Sequence, residues 1–383
     1  MMRFRRRSSR YSGYAPRLSR CLPVLLIITA ICVGACGQAR EPSGGALPPV
    51  TSDGERLRAG GRDFEVRGVN YIRPTGDDER RCWTLQFGAD INCPWRISVI
   101  EADFDAMRAR GVNTVRIFLN YYVFGGQREA DASYQKSDAL RHLDEFIAAA
   151  NRRGLYVLPV LLVEYPQDRF GPEHYERALE WHVRPLVRHF AGKPGILAWD
   201  LFNEPDIGSP IDERCWDWDN ADFPLCFPLA EERQRFVRVI HDEVKRLDPE
   251  RLTTVGMAFA KSYFEPAEAA IRTADVVDFY TFHYYDNEPY NSGRYRQHWY
   301  YGEGFPADLR RAIEELHALG LRKPVVVTEL GFPTGPGTTR TLDDLRRDQQ
   351  IALRTIRDAR GAGVVLWSFQ SSPEELLGDL FVR

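Results

Sequence analysis

The sequence lacks the short motifs of several large enzyme classes. No HExxH, GxSxG or Walker-type phosphate loop occurs in its 383 residues, which argues against zinc-protease, serine-hydrolase and P-loop chemistry. No GxGxxG turn follows the first predicted strand, as a dinucleotide-binding fold would require. His182 and His189 share one predicted polar helix, where we expect surface positions rather than metal ligation. We therefore expect no cofactor and no metal ion.

The chain also lacks the positive charge that nucleic-acid binding requires. The first 35 residues hold seven arginines and no acidic residue, so without them the formal net charge of −3 becomes −10. Binding to nucleic acids depends on clustered positive charge that neutralises phosphates. Heptad patterns, low-complexity tracts and internal repeats are absent as well. Nucleic-acid partners and fibrous architectures are therefore excluded, and a monomeric globular protein is expected.

The amino end has the composition of a targeting segment. An apolar run, Leu22–Val33, follows the arginines and is shorter than the roughly 20 residues that a membrane-spanning helix needs. Residues 33–36, with the sequence VGAC, resemble the lipid-attachment motif of bacterial lipoproteins, in which Cys36 is lipidated. Cleavage without lipidation is the alternative. We expect a signal peptide at 1–35, a flexible tether at 36–55, and export to the cell envelope, as a membrane-anchored or a secreted protein.

Four cysteines remain outside the targeting segment and the lipidation motif. They are Cys82, Cys93, Cys215 and Cys226, and they form two couples whose partners are eleven positions apart. An even number of locally spaced cysteines in an exported protein favours disulfides. A zinc site would need CxxC spacing or nearby histidines, and neither accompanies them. We expect the disulfides Cys82–Cys93 and Cys215–Cys226, with four free thiols as the alternative.

Short apolar, β-branched runs alternate with amphipathic helical patterns along the rest of the chain. Strands are predicted at Phe64–Asn70, Val112–Leu119, Leu155–Val163, Ile196–Phe202, Leu252–Met257, Val276–Phe282, Pro324–Glu329 and Gly363–Phe369. The helices carry end signals, such as a capping box of Ser98 and Glu101. Eight strand–helix units predict an α/β fold, a single (β/α)8 TIM barrel at 56–383 with a hairpin at 51–62 beneath it. The alternative fold is a doubly wound sheet, which normally has fewer strands.

Two of the predicted strands end in a glutamate. Glu204 follows the fourth strand and Glu329 ends the seventh, each after an apolar run. Strand ends of a barrel meet at one mouth, so the two carboxyls are expected to face each other across a cleft. Cleavage of a glycosidic bond needs such a pair, because one carboxyl protonates the leaving oxygen and the other meets the developing positive charge. Taken alone, either glutamate could instead have a structural role, in a salt bridge or as a helix cap.

These motifs, in chain order, resemble those of the clan A glycoside hydrolases and, within them, family 5, the cellulase and mannanase type. The most specific parts are the strand that ends in Asn-Glu-Pro at 203–205 and the Thr-Glu-Leu-Gly segment at 328–331. Further matches are Gly68–Asn70, Asn113–Arg116, His283–Tyr285 and Leu366–Ser368. The resemblance covers residues 64–370, nearly all of the chain after the tether.

The resemblance implies a retaining hydrolase with Glu204 as acid/base and Glu329 as nucleophile. Arg116 and Tyr285 are then donors that keep Glu329 ionised. The other substrate-binding residues implied are Asn203 for the sugar 2-hydroxyl, His283 beside Glu204, and Trp367 as an aromatic floor for a pyranose ring. Ion pairing for Arg116 and core packing for the aromatic residues are the alternatives.

One position departs from the pattern of the family. Cellulases of family 5 commonly carry a histidine after the third strand, where this chain has Glu164. Glu164 is then a third carboxylate at the mouth, which binds substrate hydroxyls or pairs with an arginine. The expected partner is an oligo- or polysaccharide of the β-mannan or β-glucan type. A carbohydrate-binding protein on a silent barrel and a transglycosylase with the same carboxylates are the alternatives.

Overall fold

The fold is described from a computed structural model of the chain. The described residues are 46–73, 86–89, 93–126, 138–166, 168–206, 223–264, 272–286, 301–332, 334, 340–369 and 378–381, with the backbone alone at 223–230. Among these residues, no helix combines the length and the apolar character that a membrane crossing requires.

A small antiparallel sheet opens the described chain. Its strands are β1 (Val50–Asp53), β2 (Arg56–Ala59) and β3 (Arg62–Asp63), paired in that order. The predicted hairpin is confirmed and is extended by β3. Val50 and Leu57 are buried in one cluster with residues at the amino ends of the barrel strands, so the sheet packs beneath the barrel.

Eight parallel strands close into a barrel, which confirms the predicted (β/α)8 fold. They are β4 (Val66–Tyr71), β5 (Thr114–Asn120), β6 (Tyr156–Val163), β7 (Ala198–Asn203), β8 (Leu252–Met257), β9 (Tyr280–Tyr285), β10 (Val325–Gly331) and β11 (Gly363–Phe369). They pair in chain order, and β11 pairs with β4 to close the barrel. Every residue of β5, β6 and β10 is buried, as expected for strands covered on both faces.

Helices surround the barrel. They are α1 (Ile97–Ala109), α2 (Tyr121–Phe124), α3 (Ala139–Arg152), α4 (Pro172–Ala178), α5 (Arg184–Phe190), α6 (Phe223–Leu247), α7 (Thr273–Val276), α8 (Ala307–Ala318) and α9 (Leu342–Asp358). A π-helical turn, Leu179–Val183, joins α4 to α5, and a 3-10 turn, Ala260–Tyr263, follows β8. The main hydrophobic cluster lies between helices and strands and includes Phe104, Phe146, Trp199 and Ile313.

Two local predictions are wrong. The residue before α1 is Arg96, and no side chain caps this helix, so Ser98 and Glu101 form no capping box. A capping box does occur at Thr341 and Asp344, where α9 begins. His182 is buried rather than at the surface, because the π-helical turn directs it inward, where its Nε2 lies 2.5 Å from the carbonyl oxygen of Leu161. Burial lowers the pKa of His182 to about 4.

Candidate active site

The two predicted glutamates meet at the carboxyl ends of β7 and β10. One carboxylate oxygen of Glu204, one of Glu329 and one ring nitrogen of His283 all lie within 4.8 Å of one another. Glu329 is 3% exposed, whereas a quarter of the Glu204 side chain reaches solvent. The strand-end pattern thus brings these carboxyls together at the mouth of the barrel.

Glu329 is held by two donors. The guanidinium of Arg116, on β5, lies 2.7 Å from Oε1, and the hydroxyl of Tyr285, at the end of β9, donates to Oε2. Burial, and then the negative charge of Glu329, raise the pKa of Tyr285 well above its ordinary value, so this hydroxyl keeps its proton. Both donors direct hydrogen bonds to the carboxylate of Glu329 and so fix its position in the site.

Arg116 is fully buried and anchors the site. Its guanidinium donates to Asp200 Oδ2 at 3.0 Å from Nε, to Asn70 Oδ1 at 2.9 Å and to Asn203 Oδ1 at 3.0 Å, besides Glu329. Burial alone would lower the pKa of Arg116, but the charges of Asp200 and Glu329 raise it above its ordinary value. The guanidinium therefore stays charged inside the barrel and fixes the position of the Glu329 carboxylate.

Glu204 follows β7 in a left-handed backbone conformation, with φ of 50°. Its amide donates to the carbonyl of Gly256 at 2.7 Å, which fixes this strand end to β8. Burial raises the pKa of Glu204 to about 7, and Arg116 opposes this rise. Near neutral pH, a substantial fraction of Glu204 is therefore protonated, as a general acid requires.

His283 lies between the two glutamates. Its Nδ1 is 2.7 Å from Glu204 Oε1 and its Nε2 is 3.6 Å from Glu329 Oε1. Burial lowers the pKa of His283 to about 4, so the ring is neutral at the pH where Glu204 changes its charge. A neutral imidazole has one donor and one acceptor nitrogen, so it can form a hydrogen bond with Glu204 whether that carboxyl is protonated or ionised.

Gly256, on β8, leaves the space that these side chains occupy. A Cβ at this position would lie 2.7 Å from a terminal nitrogen of Arg116 and 3.0 Å from Asp200 Oδ2. The amide of Gly256 also donates to Asp200 Oδ1 at 2.7 Å. Any larger residue here would therefore displace the guanidinium that holds Glu329.

Trp367, on β11, forms an aromatic wall beside the carboxylates. Its ring packs edge-on against Phe118, with centroids 5.9 Å apart, and against Tyr285 at 6.4 Å. Phe118 also lies under Arg116, whose guanidinium carbon is 5.0 Å from the ring centroid. The partly exposed indole can stack on a pyranose ring, and it packs against Tyr285, which donates to Glu329.

The cluster of Glu204, His283 and Glu329 has the spacing of a three-ligand metal site. The guanidinium of Arg116 already places a positive charge 2.7 Å from Glu329 Oε1, and a cation bound there would be repelled by it. Acid–base chemistry therefore suits this donor set better than metal binding does.

The site contains polar residues that the sequence analysis did not assign. Asp200 and Asn70 bind Arg116, and Gly256 makes room for it. The sequence does indicate a special role for Asp200, because it is a charged residue inside the apolar run 196–202. It does not indicate one for Gly256, because its role depends on pairing between β7 and β8.

The remaining predicted residues are partly outside the described chain. Cys36, Cys82 and Cys215 lie outside it, and Cys226 is described in its backbone alone, within α6. Cys93 is buried and disulfide-bonded, and its pairing with Cys82 stays a prediction. Cys226 therefore belongs to a helix, because α6 begins at Phe223.

The family profile described as cellulase (glycosyl hydrolase family 5) matches residues 78–373. A probable glucan 1,3-beta-glucosidase A from Aspergillus niger is 26% identical over 202 residues, which are 44% of this chain and 48% of the relative. A mannan endo-1,4-beta-mannosidase A from Emericella nidulans is 25% identical over 222 residues, 49% of this chain and 53% of the relative. The chain thus spans about half the length of the curated relatives it matches.

Solved structures with a similar fold include enzymes described as mannan-degrading. An endo-1,4-beta-mannanase from Rhizomucor miehei has a TM-score of 0.57 and 16% identity, over 87% of this chain and 98% of its own. The exo-beta-1,4-mannosidase Op5Man5 from an Opitutaceae bacterium has a TM-score of 0.61 and 19% identity, over 83% of this chain and 54% of its own. At these identities, the likeness shows the barrel fold.

Proposed function

Because the chain belongs to the cellulase family, glycosyl hydrolase family 5, and is an O-glycosyl hydrolase, we propose that it cleaves β-linked glycans of the β-mannan or β-glucan type with retention of anomeric configuration. The observation that carries this proposal is the pairing of two carboxyls in opposite surroundings. Glu329 is bound by a guanidinium and a hydroxyl, and Glu204 by a neutral imidazole. These different surroundings suit Glu329 to the role of nucleophile and Glu204 to the role of acid.

In the first step, the carboxylate of Glu329 attacks the anomeric carbon, and Glu204 gives its proton to the departing glycosidic oxygen. The bond between sugar and leaving group breaks as the glycosyl–Glu329 ester forms. In the second step, Glu204, now ionised, takes a proton from water, whose oxygen attacks the same carbon and releases Glu329. Asn203 accepts a hydrogen bond from Arg116, which orients its amide nitrogen to donate to the sugar.

The spacing of the carboxyls supports retention over inversion. Retaining enzymes place the two carboxyl groups about 5–5.5 Å apart, and inverting enzymes about 6.5–9.5 Å apart, to leave room for water. Oxygens of Glu204 and Glu329 lie within 4.8 Å of each other. This distance is closer to the retaining separation than to the inverting one.

The sugar preference follows from the relatives and from the aromatic wall. The relatives include a mannan endo-1,4-beta-mannosidase and a probable glucan 1,3-beta-glucosidase. Trp367 offers a stacking surface that suits either hexose. We expect turnover of β-mannosides or β-glucosides.

Turnover of a substrate panel tests the proposal. The panel contains 4-nitrophenyl β-mannoside, β-glucoside and β-galactoside together with mannan, mixed-linkage glucan and xyloglucan. Wild type should hydrolyse at least one β-mannoside or β-glucoside, and Glu329→Gln should abolish this activity. An exposed control, Glu314→Gln on α8, should keep wild-type rates. Binding of oligosaccharides without turnover of any substrate would instead favour a silent carbohydrate-binding barrel.

Export and lipid anchoring at Cys36 are a separate proposal, supported by the arginine-rich amino end and the VGAC sequence. Wild type should then partition into detergent, and Cys36→Ser should remain unprocessed. Recovery in the aqueous phase with an amino terminus other than Cys36 would contradict anchoring. Peptide mapping under non-reducing conditions tests the disulfides Cys82–Cys93 and Cys215–Cys226 in the exported protein.

A further inference from the structure

The end of β6 repeats the local geometry of the end of β7. The two strands pair in register, Val160 with Asp200 and Leu162 with Phe202. Continuing this register places Glu164 beside Glu204. Neighbouring strands lie about 4.7–4.9 Å apart, so the two glutamate backbones are adjacent at the barrel mouth.

The direction of the side chains repeats as well. In β7, Asp200 and Asn203 both point inward and bind Arg116, while the two residues between them join the outer hydrophobic cluster. In β6, Val160 and Val163 form an inner cluster with Phe118 and Trp367, while Leu161 and Leu162 join the outer cluster. Both strands thus contain the same irregularity, which turns position 163 inward as it does position 203.

The backbone leaves both strands in the same unusual way. Glu164 has φ of 57° and Glu204 has φ of 50°, in the left-handed region that residues with a Cβ seldom adopt. Glycine or asparagine would adopt this conformation at lower cost, so the glutamate at position 164 carries local backbone strain. Glu204 has the corresponding strain and performs the acid/base step in the proposed function.

Glu164 is exposed, whereas the residues on both sides of it are buried. An exposed carboxylate that follows a fully buried strand at the catalytic end is placed to meet a ligand rather than to support the core. Glu164 already takes part in an interaction within the chain, so a purely structural role has to be separated by experiment.

We propose that Glu164 is a specificity-determining residue whose carboxylate accepts hydrogen bonds from hydroxyls of the sugar bound beside Glu204. This inference rests on the proposed function and extends it to the class of sugar. A second carboxylate next to the acid/base repels an anionic sugar, so the site accepts neutral pyranoses and discriminates against uronates.

The test combines kinetics with thermal stability. Glu164→Gln keeps the shape of the side chain and removes its charge, and kcat/KM on the best neutral 4-nitrophenyl glycoside should fall about tenfold, as expected for one hydrogen bond to a charged group. The ratio of activity on 4-nitrophenyl β-glucuronide to that on the neutral glycoside should rise. The matched control, Glu314→Gln, should change neither quantity.

A second variant separates binding from folding. Glu164→Asn relieves the left-handed strain, so its Tm should equal or exceed that of wild type while kcat/KM falls. Wild-type kinetics for Glu164→Gln on every substrate, or a Tm of Glu164→Asn that falls together with activity, would overturn the inference. If wild type hydrolysed no substrate, the proposed function would fail. Calorimetry of mannotriose and cellotriose binding would then test the role of Glu164 separately. Weaker binding to Glu164→Gln than to wild type would support the inference, and unchanged binding would overturn it.

Discussion

The imidazole Nδ1 of His283 lies 2.7 Å from Oε1 of Glu204, and the opposite ring nitrogen faces Glu329 Oε1 at 3.6 Å. A neutral ring at this position contacts Glu204 without adding charge, while the guanidinium of Arg116 contacts Glu329 directly at 2.7 Å. The two glutamates at the ends of β7 and β10 therefore lie in different electrostatic surroundings.

The pH dependence of activity should follow Glu204. Its pKa is raised to about 7 by burial, and only the protonated form can supply the proton to the leaving oxygen. On mannan or glucan oligosaccharides, kcat/KM should therefore decline as pH rises through about 7. Initial rates between pH 5 and 9 measure this limb, and a profile that stays flat to pH 9 would contradict the assignment of the acid.

Stability should respond to the same group. The folded-state pKa of Glu204 is about 7, above its ordinary value of 4.5. The contribution of protonated Glu204 to the free energy of unfolding is therefore fully present below pH 4.5 and is lost as pH rises through about 7. Glu204→Gln removes this loss. The Tm of Glu204→Gln relative to wild type should therefore increase between pH 5 and pH 8, as measured by calorimetry. A constant difference would show that Glu204 does not change its charge in this range.

Asp200 should be essential to the site although it does not face the substrate. It is fully buried and lies 2.9 Å from a guanidinium nitrogen of Arg116. Breaking a buried pair costs about 3–5 kcal/mol of unfolding free energy, because the remaining charge is left uncompensated. Urea unfolding of Asp200→Asn should show a loss of this order and weaker activity. The control Asp242→Asn, in an exposed pair on α6, should change stability by less than about 0.5 kcal/mol.

Phe118 should couple the aromatic wall to the nucleophile. Its ring touches both Trp367 and the guanidinium of Arg116. Phe118→Leu should lower kcat because Trp367 and Arg116 both lose a packing contact. The free energy of unfolding should fall by a few kcal/mol at most. The matched control is Phe64→Leu, which removes an edge-on contact with Tyr156 beneath the barrel. If both variants lowered kcat equally, packing alone would explain the effect.

The sequence predicted the barrel because its periodicity reflects burial on both strand faces. The bounds of β8 and β11 agree with prediction to the residue. The strand predicted at 276–282 begins later, at Tyr280, because residues 273–276 form α7 and Asp278 binds the amide of Thr253.

The sequence also predicted the carboxylates, since a charged residue at the end of an apolar strand has an obvious place in a barrel. Partners that depend on strand pairing were not predictable in this way. Asp200 on β7 and Gly256 on β8 meet Arg116 on β5 only in the closed barrel, which no local pattern encodes. The likeness of Glu164 to Glu204 also depends on register, between β6 and β7.

The stereochemistry of hydrolysis tests the central claim most directly. Proton NMR of the first product released from the preferred aryl β-glycoside, recorded before mutarotation, reports the configuration at the anomeric carbon. Double displacement through Glu329 predicts that the β-anomer appears first and that the α-anomer follows only by mutarotation. Initial appearance of the α-anomer would show inversion and would contradict the assignment of Glu329 as nucleophile and Glu204 as acid/base.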